Sequence, residues 1–235
     1  YDDEAFDEDR EKLLREVHEA GIDRIVDIAC SMETSRKMPE FIGRYDFMYG
    51  TVGVHPDDIE FLTNEDMDEL KSLSAEDKII AIGEIGLDYY HTKDNKDSQK
   101  ELFEKMLCLG EKHDLPVIVH SRKSMQDTYD ILKKHDMVGS MHCYQGSAEM
   151  AREFVKLGFY IGIGGPVTHT NHKKVRKVLE NIDIGHVIVE TDSPYLPPEE
   201  KRGEKNTSLN IKYVIGKIAD MLDIGEDEVV ELTTE

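Results

Sequence analysis

The sequence has little of what membrane and secreted proteins need. No apolar run approaches the roughly 18 residues of a membrane span, and no secretory signal is recognisable, so we expect no membrane association. The only three cysteines, Cys30, Cys108 and Cys143, form no CxxC pair. An odd number of scattered cysteines is typical of a reducing compartment, and we therefore expect a cytoplasmic protein.

Basic residues are scarce relative to acidic ones. The chain has 29 Lys and Arg against 50 Asp and Glu, which gives a net charge of −21. Taken alone, this charge argues against a polyanionic substrate, because nucleic-acid binding depends on Lys and Arg contacts to phosphate. A solvated acidic surface that aids solubility explains it more simply than a special acidic partner does. A function on nucleic acid therefore requires a local cluster of basic residues.

Several common catalytic signatures are absent. The sequence contains no GxSxG elbow, no P-loop and no HExxH, and GIGGPV does not match the dinucleotide-binding fingerprint. Cys143 directly follows His142, but neighbouring residues of a strand point to opposite faces, which disfavours a Cys–His catalytic pair. Cys143 is better interpreted as a small buried apolar residue.

What the sequence does contain is an alternation of short apolar runs and amphipathic helices. Seven runs are predicted as parallel strands covered on both faces: 24–30, 47–54, 78–86, 116–120, 138–142, 159–165 and 186–191. This order predicts an α/β fold, a (β/α)₈ TIM-type barrel forming a single domain over residues 1–235. Because such a barrel needs eight strands and the chain opens on a helix, we expect a first strand missing before Tyr1.

Four potential metal ligands stand at the ends of these runs, namely Glu84, His120, His142 and Asp192. In a (β/α)₈ barrel the strand ends open on one face, so these residues are predicted to converge on one pocket. Carboxylates and imidazoles are ligands of divalent cations. Structural roles stay open at each position, such as a partly exposed Glu, a hydrogen-bonded His or a turn-capping Asp. His55 also ends a run, and the proline after it fits a turn as well as a substrate contact.

Two loops supply the local basic residues. They hold Lys173, Lys174, Arg176 and Lys177 in the first loop, and Lys201, Arg202 and Lys205 in the second. Loops at these places often form the phosphate site of barrel enzymes. The first group is also typical of the solvated face of a helix. Arg202 and Lys205, beside Asp192, are the stronger candidates for phosphate contact.

The ordered motifs AFDEDREKLL, TVGVHP, IGEIGLDYY, PVIVHSR, MHCYQGS, YIGIGGPVT, VETDSPYLPP and RGEKN cover essentially the whole chain. In this order they resemble the TatD family of metal-dependent deoxyribonucleases, within the amidohydrolase superfamily of distorted (β/α)₈ barrels. Two features differ from the family pattern. Its His-x-His pair is absent, with Tyr1 at the position that follows the pair, and RGEKNTS stands where the family continues Asn-Glu-Pro.

The resemblance implies a site with two divalent cations, Mg²⁺, Zn²⁺ or Mn²⁺. Glu84 matches the bridging carboxylate, while His120 and His142 match ligands of one cation. Asp192 matches a ligand of the other and orients the attacking water, so Asp192 and Glu84 are the implied catalytic residues. The implied substrate-contacting residues are His55, Arg122, Arg202 and Asn206, to which the charge pattern adds Lys205.

We therefore expect metal-dependent hydrolysis of phosphodiester bonds in DNA, with attack from a 3′ end of a single strand as the resemblance implies. No obligate protein partner is evident. An amidohydrolase-type hydrolase of a small cyclic amide or ester is an alternative, because it would suit the net charge of −21. A second alternative is a metal-free barrel that serves as a binding protein.

Overall fold

A computed structural model describes residues 1–90, 94–170 and 173–234, except the side chains of residues 60 and 61. Within these ranges the helices are α1 Arg10–Glu19, α2 Met32–Ile42, α3 Asn64–Leu73, α4 Lys96–His113, α5 Met125–Leu132, α6 Ala148–Lys156, α7 Lys173–Leu179, α8 Ile211–Leu222 and α9 Glu226–Thr234. The strands are β1 Ile25–Asp27, β2 Met48–Val52, β3 Ile79–Asp88, β4 Val117–Arg122, β5 Gly139–Met141, β6 Phe159–Ile163 and β7 Val187–Val189. Each predicted apolar run overlaps one of these strands.

The chain divides into two compact units. The central unit is Asp23–Ser140 together with Asp2, and the terminal unit is Asp3–Ile22 and Met141–Glu235 together with Tyr1. The prediction of one domain over residues 1–235 stays a prediction. None of the helices in the described ranges combines the length and apolar character required to cross a membrane.

In the central unit, β1, β2, β3 and β4 pair in parallel in chain order. Nine of the ten residues of β3 are buried, as a continuous apolar strand covered on both faces should be. Two of the helices between these strands, α2 and α3, begin at favourable caps. Ser31 with Thr34, and Thr63 with Asp66, form capping boxes that satisfy the first backbone N–H groups of α2 and α3.

In the terminal unit, β6 and β7 pair in parallel, with Ile161 opposite Val187 and Ile163 opposite Val189. Its core is built from large apolar side chains that are fully or nearly fully buried, including Phe6, Leu14, Val17, Phe154, Phe159, Val214 and Ile218. The start of the chain is part of this core. The Tyr1 ring packs 4.7 Å from the Phe6 ring, and the Tyr1 hydroxyl accepts a hydrogen bond from Ser208 N at 2.8 Å.

The strands of the central unit determine where the polar side chains lie. We predicted that β3 ends at 86 and β4 at 120, but both strands continue two residues further. The continued pairing joins Gly86 to His120 and Asp88 to Arg122. Gly86 permits this close approach, because at its φ of +141° a Cβ would lie 2.0 Å from the His120 carbonyl oxygen. Glu84 and His120 therefore lie inside strands rather than at their ends.

Candidate metal centre

A histidine between two carboxylates forms the centre of the polar cluster in the central unit. His120 Nδ1 lies 3.0 Å from Glu84 Oε1, and its Nε2 lies 3.0 Å from Asp88 Oδ2. Residues two apart on a strand share a face, so Glu84 and Asp88 flank the Gly86 position that pairs with His120. Both carboxylates are almost inaccessible, with 8% of Glu84 and 1% of Asp88 exposed. Buried charges of this kind require a balancing cation or proton.

His55 completes a three-residue metal-binding geometry. Its ring meets the His120 ring edge to face, with centroids 4.4 Å apart. One potential ligand atom from each of His55, Glu84 and His120 can be chosen such that all three lie within 4.8 Å of one another. Sequence analysis assigned His55 to a turn or a substrate contact rather than to the metal. Its place at the end of an apolar run, like those of the predicted ligands, was the signal that could have identified it.

The two histidines of this cluster differ in their electrostatics. Burial lowers the pKa of His55, although the nearby Glu84 carboxylate opposes this effect. Burial also acts to lower the pKa of His120, but hydrogen bonds to Glu84 and Asp88 outweigh it and raise the pKa. The metal-free cluster thus favours a proton on His120 as counter-charge to two carboxylates. A divalent cation would supply the same charge balance, so the donor set fits a metal ion.

The terminal unit repeats the arrangement around another histidine. His142 Nδ1 lies 2.9 Å from Glu190 Oε2, and His142 Nε2 lies 3.3 Å from Asp192 Oδ1. Glu190 also accepts a hydrogen bond from Cys143 N at 2.5 Å. Gly162 leaves space for this carboxylate, because a Cβ there would lie 2.9 Å from Glu190 Oε2. Glu190 was not predicted as a site residue. It lies in the predicted apolar run 186–191, two residues before Asp192, and a carboxylate within an apolar run was the signal that could have identified it.

The Cys143 thiol does not serve as a nucleophile. Burial, reinforced by the Glu190 carboxylate, raises the pKa of Cys143 to about 12. The thiol therefore stays protonated near neutral pH, whereas nucleophilic attack requires the thiolate. The reason given from the sequence, that His142 and Cys143 are neighbours on a strand, does not hold, because β5 ends at Met141 and both residues lie in a turn.

The predicted phosphate-binding loop carries its charges in ion pairs. Arg202 is well exposed and contacts Glu199 at 2.7 Å. Lys205 Nζ donates to Asp9 Oδ1 at 2.6 Å and to the Ala5 carbonyl at 2.9 Å, which ties this loop to the start of the chain. The other basic group lies largely in α7, as its helical interpretation anticipated. Asn171 and His172 of the same loop lie outside the described residues.

Asn206 occupies a different environment from the one expected of a substrate contact. Its side chain is fully buried, and its amide donates to the carbonyls of Thr191 at 2.6 Å and Tyr195 at 2.7 Å. Its side-chain oxygen accepts from Thr207 N at 2.9 Å. In the structure Asn206 thus holds the loop on both sides of Asp192, while its contact with substrate stays a prediction.

The predicted site residues are brought together in two groups, each within its own unit. Glu84 and His120 form one group with His55, and Arg122 lies two residues beyond His120 on β4. His142 and Asp192 form the other. The convergence of all four predicted ligands on one pocket stays a prediction.

Comparison with known sequences relates the chain to a family of hydrolases. The family model of the TatD related DNases matches residues 1–235. The chain is 40% identical over 235 residues to YabD of Bacillus subtilis (strain 168), called an uncharacterized metal-dependent hydrolase, covering 99% of this chain and 92% of that protein. It is 31% identical over 237 residues to YcfH of Escherichia coli (strain K12), another uncharacterized metal-dependent hydrolase, covering 100% and 89%.

Solved structures agree with the sequence relatives. The chain matches the crystal structure of YjjV, a TatD homologue from Escherichia coli K12, with a TM-score of 0.93 and 28% identity over 99% of this chain and 91% of that chain. A hydrolase of the TatD family from Entamoeba histolytica gives a TM-score of 0.86 with 25% identity over 96% and 87%. The predicted α/β fold of the TIM-barrel class is thereby confirmed. The chain belongs to the TatD family of metal-dependent hydrolases.

Proposed function

We propose that this protein hydrolyses phosphodiester bonds in DNA, using two divalent cations and acting at the 3′ ends of single strands. The family name supports a nuclease, and membership in a metal-dependent hydrolase family supports the need for metal. The observation that carries the proposal is the cluster of His55, Glu84 and His120, in which one buried carboxylate and two part-buried imidazoles offer ligand atoms that lie within 4.8 Å of one another. Such a set is suited to binding cations beside a phosphate ester.

Glu84 and His120 of the central unit, and His142 and Asp192 of the terminal unit, are the residues that would hold the divalent cations. Mixed imidazole and carboxylate donors suit Zn²⁺ or Mn²⁺, and carboxylate oxygens also suit Mg²⁺. When bound, such ions lower the pKa of water and neutralise phosphate charge. Proton transfer, orientation of the imidazoles and contact with the substrate phosphates are proposed for side chains of the protein.

Asp192 is proposed to accept the proton of the attacking water at a carboxylate oxygen, because its carboxylate is only part-buried and lies against His142. Asp88 and Glu190 hold His120 and His142 from the far side of each ring, which fixes the orientation of both imidazoles. Arg122 and Arg202, both exposed, are proposed to contact substrate phosphates.

One observation favours the second candidate, hydrolysis of a small cyclic amide or ester. Arg202 and Lys205, the cations expected to grip phosphate, are both engaged by carboxylates of the protein. With a net charge of −21, a small neutral substrate would approach more easily than a polyanion. The metal-free binding protein has no comparable support, since the family consists of metal-dependent hydrolases.

The discriminating experiment supplies both substrate classes to the same protein. A 3′-labelled single-stranded oligonucleotide and a cyclic amide are incubated with protein stripped by chelator and reloaded with Mg²⁺, Mn²⁺ or Zn²⁺. We expect metal-dependent release of nucleotides and no turnover of the amide. Turnover of the amide alone would replace the nuclease with the second candidate.

A matched pair of variants tests whether the activity belongs to this cluster. Glu84→Ala is expected to abolish nucleotide release with the circular dichroism spectrum retained, since Glu84 supplies the carboxylate of the His55, Glu84 and His120 cluster that would hold a cation. Glu111→Ala removes a carboxylate that also contacts a histidine, His135, but outside the cluster, and should keep full activity. Near-normal turnover by Glu84→Ala in metal-buffered assays would show that Glu84 is assigned wrongly.

We also propose the cytoplasm as the location and DNA as the macromolecular partner, without an obligate protein partner. Cys30, Cys108 and Cys143 are all free thiols, as expected in a reducing compartment. Fractionation of cells that express the native gene, followed by immunodetection, would test the location.

A further inference from the structure

An exposed tyrosine lies close to the cluster of potential metal ligands in the central unit. Tyr90 lies two residues beyond Asp88, the last residue of β3, and keeps 52% of its surface exposed. Its backbone N–H donates to Asp88 Oδ1 at 2.7 Å, while the other oxygen of the same carboxylate bonds His120 Nε2 at 3.0 Å. A single carboxylate therefore fixes the backbone of Tyr90 relative to His120.

Two cations lie against the Tyr90 ring. The guanidinium carbon of Arg122 is 4.1 Å from the ring centroid, and Lys123 Nζ is 5.6 Å from it. Arg122 pairs with Asp88 across the two strands and lies two residues beyond His120, on the same face of β4. In a protein with a net charge of −21, two exposed cations here form a local basic surface next to the cluster.

The neighbouring residue, Tyr89, is buried, so the exposure of Tyr90 is not a general property of the residues that follow β3. Tyr89 is 7% exposed, its hydroxyl donates to Asp127 at 2.7 Å, and Lys96 covers its ring at 4.3 Å. Tyr89 is thus packed into the fold, whereas Tyr90 is presented to solvent. An aromatic ring backed by Arg beside a cationic surface is the chemistry on which unpaired bases stack.

We propose that Tyr90, Arg122 and Lys123 form a nucleotide subsite, in which the Tyr90 ring stacks on an unpaired base and the two cations contact the adjoining phosphate. This inference rests on the proposed nuclease function and specifies the form of its DNA substrate. A base within a duplex has both faces covered by its neighbours, so it cannot stack on a protein ring without first leaving the helix. The subsite therefore selects single strands and frayed ends.

The first test measures binding without turnover. Chelator-treated protein is titrated into a single-stranded oligonucleotide whose 3′-terminal base is 2-aminopurine, and both fluorescence quenching and affinity are recorded. Tyr90→Ala is expected to weaken binding by roughly 5- to 150-fold and to remove the quenching. Tyr90→Phe keeps the ring and should stay within about threefold of the wild type.

Tyr129→Ala is the matched control, because Tyr129 also has a cation near its ring, Lys133 at 5.6 Å, but lies on α5. It should bind as the wild type does. Equal affinity and quenching in Tyr90→Ala and the wild type would overturn the subsite, as would failure of the wild type to bind the oligonucleotide.

The second test uses the metal-loaded enzyme on two oligonucleotides that differ only in a normal or an abasic 3′-terminal residue. Tyr90→Ala should lower kcat/KM on the normal substrate and have no effect on the abasic one. Equal losses on both substrates would overturn stacking while leaving the nuclease in place. If the wild type cleaves neither substrate but Tyr90-dependent quenching is present, the subsite stands and the proposed nuclease function falls.

Discussion

Each unit places a predicted metal ligand, His120 in the central unit and His142 in the terminal unit, between two carboxylates. In both places one carboxylate was predicted from the sequence as a metal ligand, Glu84 or Asp192. The partner carboxylates Asp88 and Glu190 were not. A metal-bound imidazole commonly gives its second ring nitrogen to such a carboxylate, which fixes the tautomer and the ring orientation. At the scale of single residues, these partners are the main addition made by the structure.

Asp88→Asn is expected to lower metal affinity by about 10- to 100-fold, because it weakens the hold on His120 without removing a predicted ligand. Competition with a fluorescent chelator would measure the affinity directly. Glu111→Gln is the control, since Glu111 contacts His135 Nδ1 at 2.9 Å with the same atom types, outside the cluster. Unchanged affinity in Asp88→Asn would show that Asp88 has no part in positioning His120.

At the scale of elements, another histidine–carboxylate group joins a helix to a loop. His135, after α5, contacts Glu104 at 2.8 Å and Glu111 at 2.9 Å, both on α4. Burial acts to lower the pKa of His135, but the bonds to Glu104 and Glu111 outweigh it and raise the pKa above the ordinary value of 6.5. The folded protein therefore binds a proton at His135 more tightly than the unfolded chain does.

This raised pKa predicts a pH-dependent contribution to stability. The contribution of His135 is fully present below pH 6.5 and is lost as the pH rises through the raised pKa. The difference in unfolding free energy between the wild type and His135→Gln should therefore shrink with rising pH. Urea denaturation between about pH 5.5 and about pH 9 measures it. A difference that stays constant across this range would show that His135 does not contribute to stability in this way.

In the loop between β7 and α8, one side chain holds the backbone in place through several hydrogen bonds. The Asn206 amide bonds carbonyls on both sides of Asp192, and the backbone N–H of Asn206 bonds the Pro194 carbonyl at 3.0 Å. Asp192 itself has a φ of +56°, in the left-handed region that non-glycine residues seldom occupy. The surrounding hydrogen bonds maintain this conformation.

Asn206→Ala should lower the free energy of unfolding by about 1–3 kcal/mol, because it leaves buried carbonyls without donors. Asn181→Ala, at an exposed asparagine, should stay within about 0.5 kcal/mol of the wild type. Denaturant titration of both variants gives the comparison. Equal stability of the two would mean that solvent or other groups replace the Asn206 bonds.

At the scale of the whole molecule, the net charge of −21 opposes the approach of DNA, so local cations must offset it. Arg202 is exposed and shares its charge only with the part-exposed Glu199 among the ion pairs described. Exposed pairs of this kind exchange readily for other partners. A substrate phosphate can therefore compete for Arg202.

Arg202→Ala is expected to reduce the slope of log affinity against log salt by about 0.7 for a single-stranded oligonucleotide, the value for one lost phosphate contact. Filter binding over a salt series, with metal omitted, measures the slope. Arg44→Ala removes a similarly exposed arginine that pairs with Glu40, and should leave the slope unchanged. An unchanged slope in Arg202→Ala would remove this residue from the proposed phosphate site.

The alternation of apolar runs and amphipathic helices in the sequence determines the fold class by itself. Seven runs were predicted and each overlaps a strand, because burial on both faces leaves a continuous apolar signature in the sequence. The same runs predicted Glu84, His120, His142 and Asp192 as metal ligands, since carboxylates and imidazoles near the end of an apolar run stand out against their neighbours. What local sequence does not encode is how far a strand extends once its neighbour pairs with it.

The lengths of the strands, and the side-chain contacts that depend on them, were decided by the tertiary structure. Pairing of Asp88 with Arg122 lengthened β3 and β4, which brought Asp88 against His120 and set Tyr90 beside Arg122. Asn206 looked from its motif like a substrate contact, and only packing revealed that its side chain is buried and bonded to its own loop. Such partners are distant in sequence, and their identity depends on strand register and loop conformation, which arise from the folded chain as a whole.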